Sequence, residues 1–334
     1  MRILTVPPGP QFAVADVHRG WTDALSQYAE VRSFNFDERL MFHEEALRGK
    51  VGEHERGHVA CRQVAEQLRG ACFDFQPDAL VITSGFFVPP ETYDIIRSRG
   101  IKIVVLLTES PYEDPAQYHI AGRSDLAFIN DPTNLDTFRQ HQPRTFYLPH
   151  AYDPARHHPK PPSADLICDF GWVGTAFPSR IAFFEQVDWR GADVALAGNW
   201  QELDPSSPLV KYLVHDEGCF HNDATVDLYT SCKASANIYR KEAVNDDHSD
   251  GWAIGPREVE LAACGTFFLR EPRPEGDDLF PFLPTFDGPG DFSEQLAWWL
   301  AHDLERTEAA RLAREAVADF TFDHRARFLL NQLG

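Results

Sequence analysis

One stretch of this sequence sets a cation and a carboxylate at helical spacing behind a Gly-Pro pair. It runs Gly255-Pro256-Arg257-Glu258-Val259-Glu260-Leu261-Ala262-Ala263-Cys264-Gly265, followed at once by Thr266-Phe267-Phe268-Leu269. Pro suits the first helical turn and Gly the position just past the end, so the pattern predicts a short helix, a Gly stop and a buried strand. At about 100° per residue, Arg257, Glu260, Leu261 and Cys264 share one face, and Val259, Ala262 and Ala263 share the opposite one. The small-residue face can lie close to a sheet. The other face brings Arg257 and Glu260 to a helix N-terminus, opened by Gly255 and Pro256, whose amides can hold an anion. A diphosphate on the cation and amides, with a ribose on the carboxylate, suits that chemistry. The competing reading is a surface Arg–Glu pair on an ordinary helix.

Other residues fall where a parallel sheet presents its ligands. Arg240 ends a predicted strand and is a second phosphate candidate, with Lys241 beside it as a solvated neighbour. Gly174-Thr175 and Arg180 form a Gly-containing strand-to-helix loop that lets backbone approach a phosphate, with tight turning alone as the alternative. Gly198-Asn199-Trp200 follows another strand and could stack on or hydrogen-bond a base, unless Trp200 is core. Glu109, in Thr108-Glu109-Ser110-Pro111-Tyr112, follows the most apolar strand of the first half. A carboxylate there could take a substrate proton if its surroundings raise its pKa; a structural cap is the alternative. The acidic pairs Asp246-Asp247 and Asp277-Asp278 resemble metal-binding carboxylates in composition. His157-His158 invites the same reading, although adjacent histidines in a linker are ordinarily solvent-exposed.

The elements that must position these groups alternate along the chain. In the first half, strands at 3–6, 31–34, 79–83, 101–107, 125–129 and 145–148 are interleaved with helices at 15–28, 58–73 and 90–99. Residues 37–57 are charged and irregular. The second half restarts the alternation. It has strands at 166–173, 193–197, 234–238 and 266–269, and helices at 178–187, 223–231 and the opening stretch. A Pro- and acid-rich loop spans 271–285, and helices follow near 291–301, 303–319 and 322–333, with Thr321 as the last N-cap. Strands alternating with helices predict mostly parallel sheets wrapped on both faces, here as two α/β domains with a cleft between them. Asp153-Pro154 and His157-His158-Pro159-Lys160-Pro161-Pro162-Ser163 read as a stiff connector between the domains.

Bulk composition narrows the function. At 334 residues the chain has room for about two domains, and a hydrophobic share of 43% gives each a core. Lys+Arg 31 against Asp+Glu 51 leaves a net charge of −20, which repels nucleic acid and anionic membrane but admits a small anion at a local donor cluster. No apolar run approaches a membrane span, and Met1-Arg2 leads straight into Ile3-Leu4-Thr5-Val6 without a signal pattern, so the expected location is the cytoplasm. The six cysteines, at 61, 72, 168, 219, 232 and 264, form no CxxC pair and read as small buried side chains in a reducing compartment.

The order of motifs resembles the CgeB-type spore-maturation glycosyltransferases, relatives of the group-1 glycosyltransferases. The C-terminal carriers are GWVGTAFPSR (171–180), VALAGNW (194–200), DLYTSCKASANIYR (227–240), PREVELAACGTFFLRE (256–271) and FTFDHRARFLL (320–330). The N-terminal ones are PDALVITSG (77–85), GIKIVVLLTESPY (100–112), SDLAFIND (124–131) and YLPHAYDPARHHP (147–159). The resemblance implies an α/β, GT-B-like fold of two Rossmann-like domains facing a central cleft. An acceptor domain at 1–155 would be joined to a donor domain at 164–319, and a final helix at 320–334 would pack back on the first domain.

It implies sugar transfer from a nucleotide diphosphate sugar, with UDP the first choice, to a protein, glycan or small-molecule acceptor. A base in DNA is the least favoured acceptor on charge. Related enzymes hold the donor ribose with a Glu five residues before a Gly, the spacing of Glu260 and Gly265. The broader group-1 enzymes carry a sugar-contacting Glu eight residues before that; here the position is Trp252, so donor sugar and stereochemical outcome are not carried over. GT-B enzymes stabilise the leaving diphosphate with protein cations and helix dipoles, which implies no required metal or cofactor. Several place a catalytic residue on the first loop or helix, which adds His18 to Glu109 as a candidate base, with an exposed helix histidine as the alternative. The competing classes are a non-catalytic two-domain sugar- or nucleotide-binding protein and a sugar-nucleotide epimerase of the same fold.

Overall fold

The computed structural model describes residues 1–9, 15–214, 222–242 and 250–334. Pro10 of the first loop, Cys219 and the Asp246-Asp247 pair lie outside the described residues. The chain divides into two compact units, Met1–Pro149 with Phe322–Gly334, and His150–Thr321. The division falls at Pro149, ahead of the stretch expected as the connector. That stretch is built into the second unit, where Arg156 and His157 are buried and Arg156 Nε lies 3.0 Å from Asp223 Oδ1.

The first unit runs β1 (Arg2–Val6), α1 (Ala15–Leu25), β2 (Glu30–Ser33), α2 (Phe36–Leu47), α3 (Glu53–Phe75), β3 (Ala79–Thr83), α4 (Pro90–Arg97), β4 (Lys102–Leu107), α5 (Asp114–Ala121), β5 (Leu126–Ile129), α6 (Leu135–His141) and β6 (Thr145–Tyr147). Its strands pair in parallel in the order β2-β1-β3-β4-β5-β6. Strands β3 and β5 are buried along their whole length, as expected of a parallel sheet covered on both faces.

The charged 37–57 region contains α2, where the two buried residues Phe36 and Leu40 are spaced one turn apart among Asp, Glu and Arg. Asn35 caps it, accepting from Glu38 N at 3.3 Å. So sparse a core face left little periodicity to read.

The second unit runs β7 (Cys168–Val173), α7 (Pro178–Glu185), β8 (Val194–Ala197), α8 (Asn222–Ser231), β9 (Cys232–Asn237), α9 (Pro256–Cys264), β10 (Phe268–Arg270), α10 (Pro274–Leu279), α11 (Gly288–Ala301) and α12 (Asp303–Ala316). The 271–285 segment, expected as loop, holds α10, because Pro274 opens a turn that Arg270 and Asp277 hold across 2.7 Å. The sheet is again parallel, in the order β10-β9-β7-β8. Both sheets thus follow the doubly wound 2-1-3-4 order, whose ligands lie beyond the strand ends where the order reverses. That point is β1/β3 in the first unit and β7/β9 in the second.

Helix α13 (Phe322–Leu333) returns to the first unit, where Phe322 meets Trp21 of α1 edge-on at 6.1 Å. Among the described residues no helix is long and apolar enough to cross a membrane.

One close approach fixes the strand ends of the second sheet. Gly198, at φ +113°, ends β8, and a Cβ there would sit 2.3 Å from the Gly174 carbonyl oxygen. Gly191 also has positive φ, but nothing lies within 4 Å of its missing side chain. Gly191→Ala is therefore expected to cost about 1 kcal/mol from the backbone alone. Gly198→Ala adds a clash with backbone and is expected to cost about 3 kcal/mol or more. Urea denaturation of the two variants tests the ranking; equal losses would contradict it.

Candidate functional site

Helix α9 is built as its sequence directs at both ends. Gly255 is the N-cap and Pro256 the first helical residue; Gly265 adopts φ +73° just past the C-terminus, where Thr266 N bonds Leu261 O at 3.0 Å. Val259, Ala262 and Ala263 are buried, and so are Leu261 and Cys264 of the face that carries Arg257 and Glu260. Helices α8 and α12 pack against α9. The residues left with exposure are Pro256, Arg257 and Glu260.

Arg257 reaches the topological switch point. Its Nε donates to Val173 O at the end of β7 at 3.0 Å, and its Nη1 donates to Asn237 Oδ1 at the end of β9, also at 3.0 Å. The guanidinium carbon lies 4.8 Å from the centre of the Trp172 ring. A Cβ on Gly174 would come within 2.4 Å of Arg257 Nη2, so Gly174 makes room for the arginine as well as for a turn. Tyr229, whose phenol burial pushes well above its ordinary pKa, also hydrogen-bonds Arg257.

The other basic candidates gather around the same rings. Arg180 is buried, with Nε donating to Ile238 O and Nη1 to Thr175 O, both at 3.0 Å, and its guanidinium lies against Trp172 and Phe177. It braces the exit of β9 against the Gly174-Thr175 loop, and so positions this loop without projecting from it. Arg240 is partly exposed and lies 5.7 Å from the Phe177 ring centre.

The N-terminus of α7 already holds an anion. Ser179 N donates to Glu242 Oε1 at 2.8 Å, and Ser179 Oγ donates to Glu242 Oε2 at 3.0 Å. Burial opposes ionisation of Glu242, yet these donors and Lys241 N hold its pKa below the ordinary range. Trp200 is core: it is 2% exposed, donates Nε1–H to Ala197 O at 3.0 Å and packs edge-on against Trp172. The base-stacking role expected for it is thereby corrected. Asn199 stays half-buried, its side chain accepting from Gln201 N at 3.3 Å.

Glu260 has a partner from the stretch read as connector. Its Oε1 lies 3.8 Å from His157 Nε2. His157 is buried, which corrects the exposed-linker expectation. Its Nδ1 accepts from Asp153 N at 3.2 Å, so Nε2 carries the proton in the neutral ring and faces Asn222 Oδ1 at 3.2 Å. Asp277, half of the remaining acidic pair, is ion-paired to Arg270. Among the described residues no three His, Cys, Asp or Glu side chains gather as a metal set.

The sequence reading passed over Glu258, the third residue of α9. It is fully buried, and its Oε2 accepts from Gly255 N at 2.7 Å, from Asn237 Nδ2 at 2.9 Å and from the Tyr239 hydroxyl. Among the described residues its Oε1 has no hydrogen-bond partner. Burial pushes its pKa up to about 7, against the pull of Tyr239, Gly255 N–H, Arg270 and Arg273. A Glu three residues after a helix N-cap is a capping signal that could have singled it out.

In the first unit, the ring of His18, on α1, reaches the ends of β2 and β3, and Glu109 follows β4. His18 is also buried, correcting the exposed alternative. Its Nε2 lies 3.1 Å from Ser33 Oγ, and its Nδ1 lies 3.4 Å from Thr83 Oγ1 at the β1/β3 switch point. Burial lowers its pKa to about 4, leaving a neutral ring with little basicity at pH 7. Glu109 follows β4 and is half-buried, its N–H donating to Gln117 Oε1 at 3.2 Å. The loops after β3 and β4 add half-buried Phe86, Phe87 and Tyr112.

Glu258 gives a pH test. A carboxyl whose pKa is raised on folding contributes stability that is complete below its unfolded value, 4.5, and is lost as pH rises through about 7. Glu258→Gln is expected to remove that decline, worth at most about 3 kcal/mol between pH 4.5 and 8. Urea denaturation across the range checks it; parallel curves for the two proteins would refute it.

Comparison with known proteins agrees with the fold. Residues 180–331 match the family described as "Glycosyl transferase-like". The spore protein CgeB of Bacillus subtilis (strain 168) is 22% identical over 260 residues, 75% of this chain and 80% of that protein. Among solved structures, sucrose-phosphate synthase from Thermosynechococcus elongatus superposes with a TM-score of 0.67 at 10% identity, covering 99% of this chain and 98% of that one. A trehalose-6-phosphate synthase gives 0.64 at 11% identity, over 100% and 99%. An alpha-glucosyltransferase solved with UDP-glucose and DNA containing an abasic site gives 0.62 at 12%, over 99% of each. The chain has a GT-B fold of two Rossmann-like domains and resembles CgeB, and the match over residues 180–331 supports sugar transfer as its chemistry.

Proposed function

We propose that the second unit holds a nucleotide diphosphate sugar, UDP being the first choice of nucleotide, with Arg257 on the diphosphate and Glu260 on the ribose. The observation that carries this reading is Arg257 itself, fixed by hydrogen bonds to the ends of both strands at the switch point. In transfer, an acceptor oxygen bonds the donor's anomeric carbon as the bond from that carbon to the diphosphate oxygen breaks. The nucleotide diphosphate leaves with the bonding pair, and the acceptor proton passes to a base. A preorganised guanidinium meets the growing diphosphate charge without reorganisation, and Arg240 adds a second cation nearby. No metal or cofactor is needed in this reading, because the protein supplies those cations.

UDP is expected to raise the melting temperature, and Arg257→Ala and Glu260→Ala are each expected to weaken UDP binding about tenfold or more. Titration calorimetry supplies the constants. Unchanged affinity in Glu260→Ala would remove the ribose assignment, and in Arg257→Ala the diphosphate assignment.

Glu109 is the favoured base, since the low pKa of His18 unsuits it for the task. The acceptor would lie on the first unit, where Glu109 follows β4 and the loops after β3 and β4 carry half-buried Phe86, Phe87 and Tyr112. A carboxylate bonds sugar hydroxyls and aromatic rings stack on sugar faces, while the acid repels an anionic acceptor. An uncharged saccharide or polyol is therefore the proposed acceptor class, and nucleic acid is disfavoured by the net charge of −20. In a mass-spectrometric screen of donors with paired neutral and phosphorylated acceptors, transfer to the neutral member is expected. Glu109→Gln should lower its kcat at least about a hundredfold. Preference for the phosphorylated members would overturn the acceptor class, and an altered sugar nucleotide without acceptor would indicate epimerisation.

A further inference from the structure

The geometry points to Glu258 as a positioning residue for the diphosphate site, acting through Asn237 on Arg257; this inference rests on the role proposed for Arg257. Asn237 lies between the two, with Nδ2 donating to Glu258 Oε2 at 2.9 Å and Oδ1 accepting from Arg257 Nη1 at 3.0 Å. An arginine only donates, and Glu258 Oε2, which also takes the Gly255 N–H and the Tyr239 hydroxyl, accepts, so the two together admit one orientation of the amide between them. The amide is itself buried, so it cannot turn to water for a substitute partner. Without an acceptor at 258, Asn237 either keeps an unsatisfied buried NH2 or rotates and takes its oxygen away from Arg257.

A capping role alone does not account for this residue. Closing the N-terminus of α9 needs only the bond to Gly255 N, which an exposed Glu makes equally well. Glu258 is instead fully buried, with Tyr239 and Asn237 donating to the same oxygen, and with Arg270 and Arg273 as the neighbouring cations. Tyr239 is held in turn by the Arg273 guanidinium, 3.9 Å from its ring centre, and by Glu271 Oε2, which accepts from Tyr239 N at 2.6 Å. The assembly fixes one carboxylate oxygen against one amide, and that amide against the arginine at the switch point.

The test is a double-mutant cycle read by UDP affinity. Glu258→Leu and Asn237→Leu are each expected to weaken UDP about tenfold. In an Arg257→Ala background, either change should have almost no further effect, because the group they position is gone. Glu258→Gln keeps an acceptor for Asn237 Nδ2 and should recover most of the affinity lost in Glu258→Leu, which separates orientation from charge. Additive losses in the Arg257→Ala background, or a Gln variant as weak as the Leu variant, would overturn the inference. Should Glu258→Leu not fold, the Asn237→Leu cycle and the Gln variant decide it. If Arg257→Ala binds UDP as the parent does, the diphosphate assignment fails first and takes this inference with it. If Arg257→Ala weakens UDP and the other variants do not, the inference alone fails.

Discussion

The second unit depends on a guanidinium held across two neighbouring strand ends. Parallel strands that part at a switch point leave a gap beyond their carboxyl ends, and Arg257 fills it from α9 by bonding Val173 and Asn237. Each charged hydrogen bond is worth roughly 1.5–3 kcal/mol, and the Trp172 ring adds a cation–π contact of about 1 kcal/mol. Gly174 lacks the Cβ that would strike the arginine, and Gly198 lacks the one that would strike Gly174. The backbone is thus narrowed at the same place where the cation enters. Arg180 closes the arrangement by tying Ile238 to Thr175.

The two sheets share a strand order but place opposite chemistries at their switch points. In the second unit arginines lie against aromatic rings. In the first, a neutral histidine sits among the hydroxyls of Ser33 and Thr83, and a carboxylate follows β4. The frame decides where ligands lie, and the side chains decide which ligands they are. A cationic end suits a diphosphate, while an acidic and aromatic one suits hydroxyl groups.

Much of this was legible in the sequence because it rests on local rules. The Gly-Pro start and Gly stop of α9 delimited the helix, and apolar runs between turn residues located the strands of both sheets. What escaped depended on contacts between distant segments. His157 looked like a linker histidine, yet Asp153 N and Asn222 take its two nitrogens. Trp200 looked available to a base, but Trp172 and Phe184 enclose it. Glu258 drew no reading, because its partner Asn237 lies on the neighbouring strand, 21 residues away in sequence. Helix α10 was hidden because Pro and Gly within its few residues read locally as loop, and the Arg270–Asp277 pair that closes it is not a local pattern.

The return of α13 gives the chain an unequal modularity. The second unit is one uninterrupted segment, His150–Thr321, whereas the first is assembled from both ends of the polypeptide. In genetic terms the second half is an insert carried inside its companion. Its two junctions, after Pro149 and before Phe322, are the natural seams for exchanging that half between relatives as a single cassette. A gene cut once at residue 321 would instead strand Trp21 and Gly20 of α1 without the Phe322 ring that covers them. Recombination at a single crossover therefore damages the first half, while paired crossovers at the two seams leave each core whole.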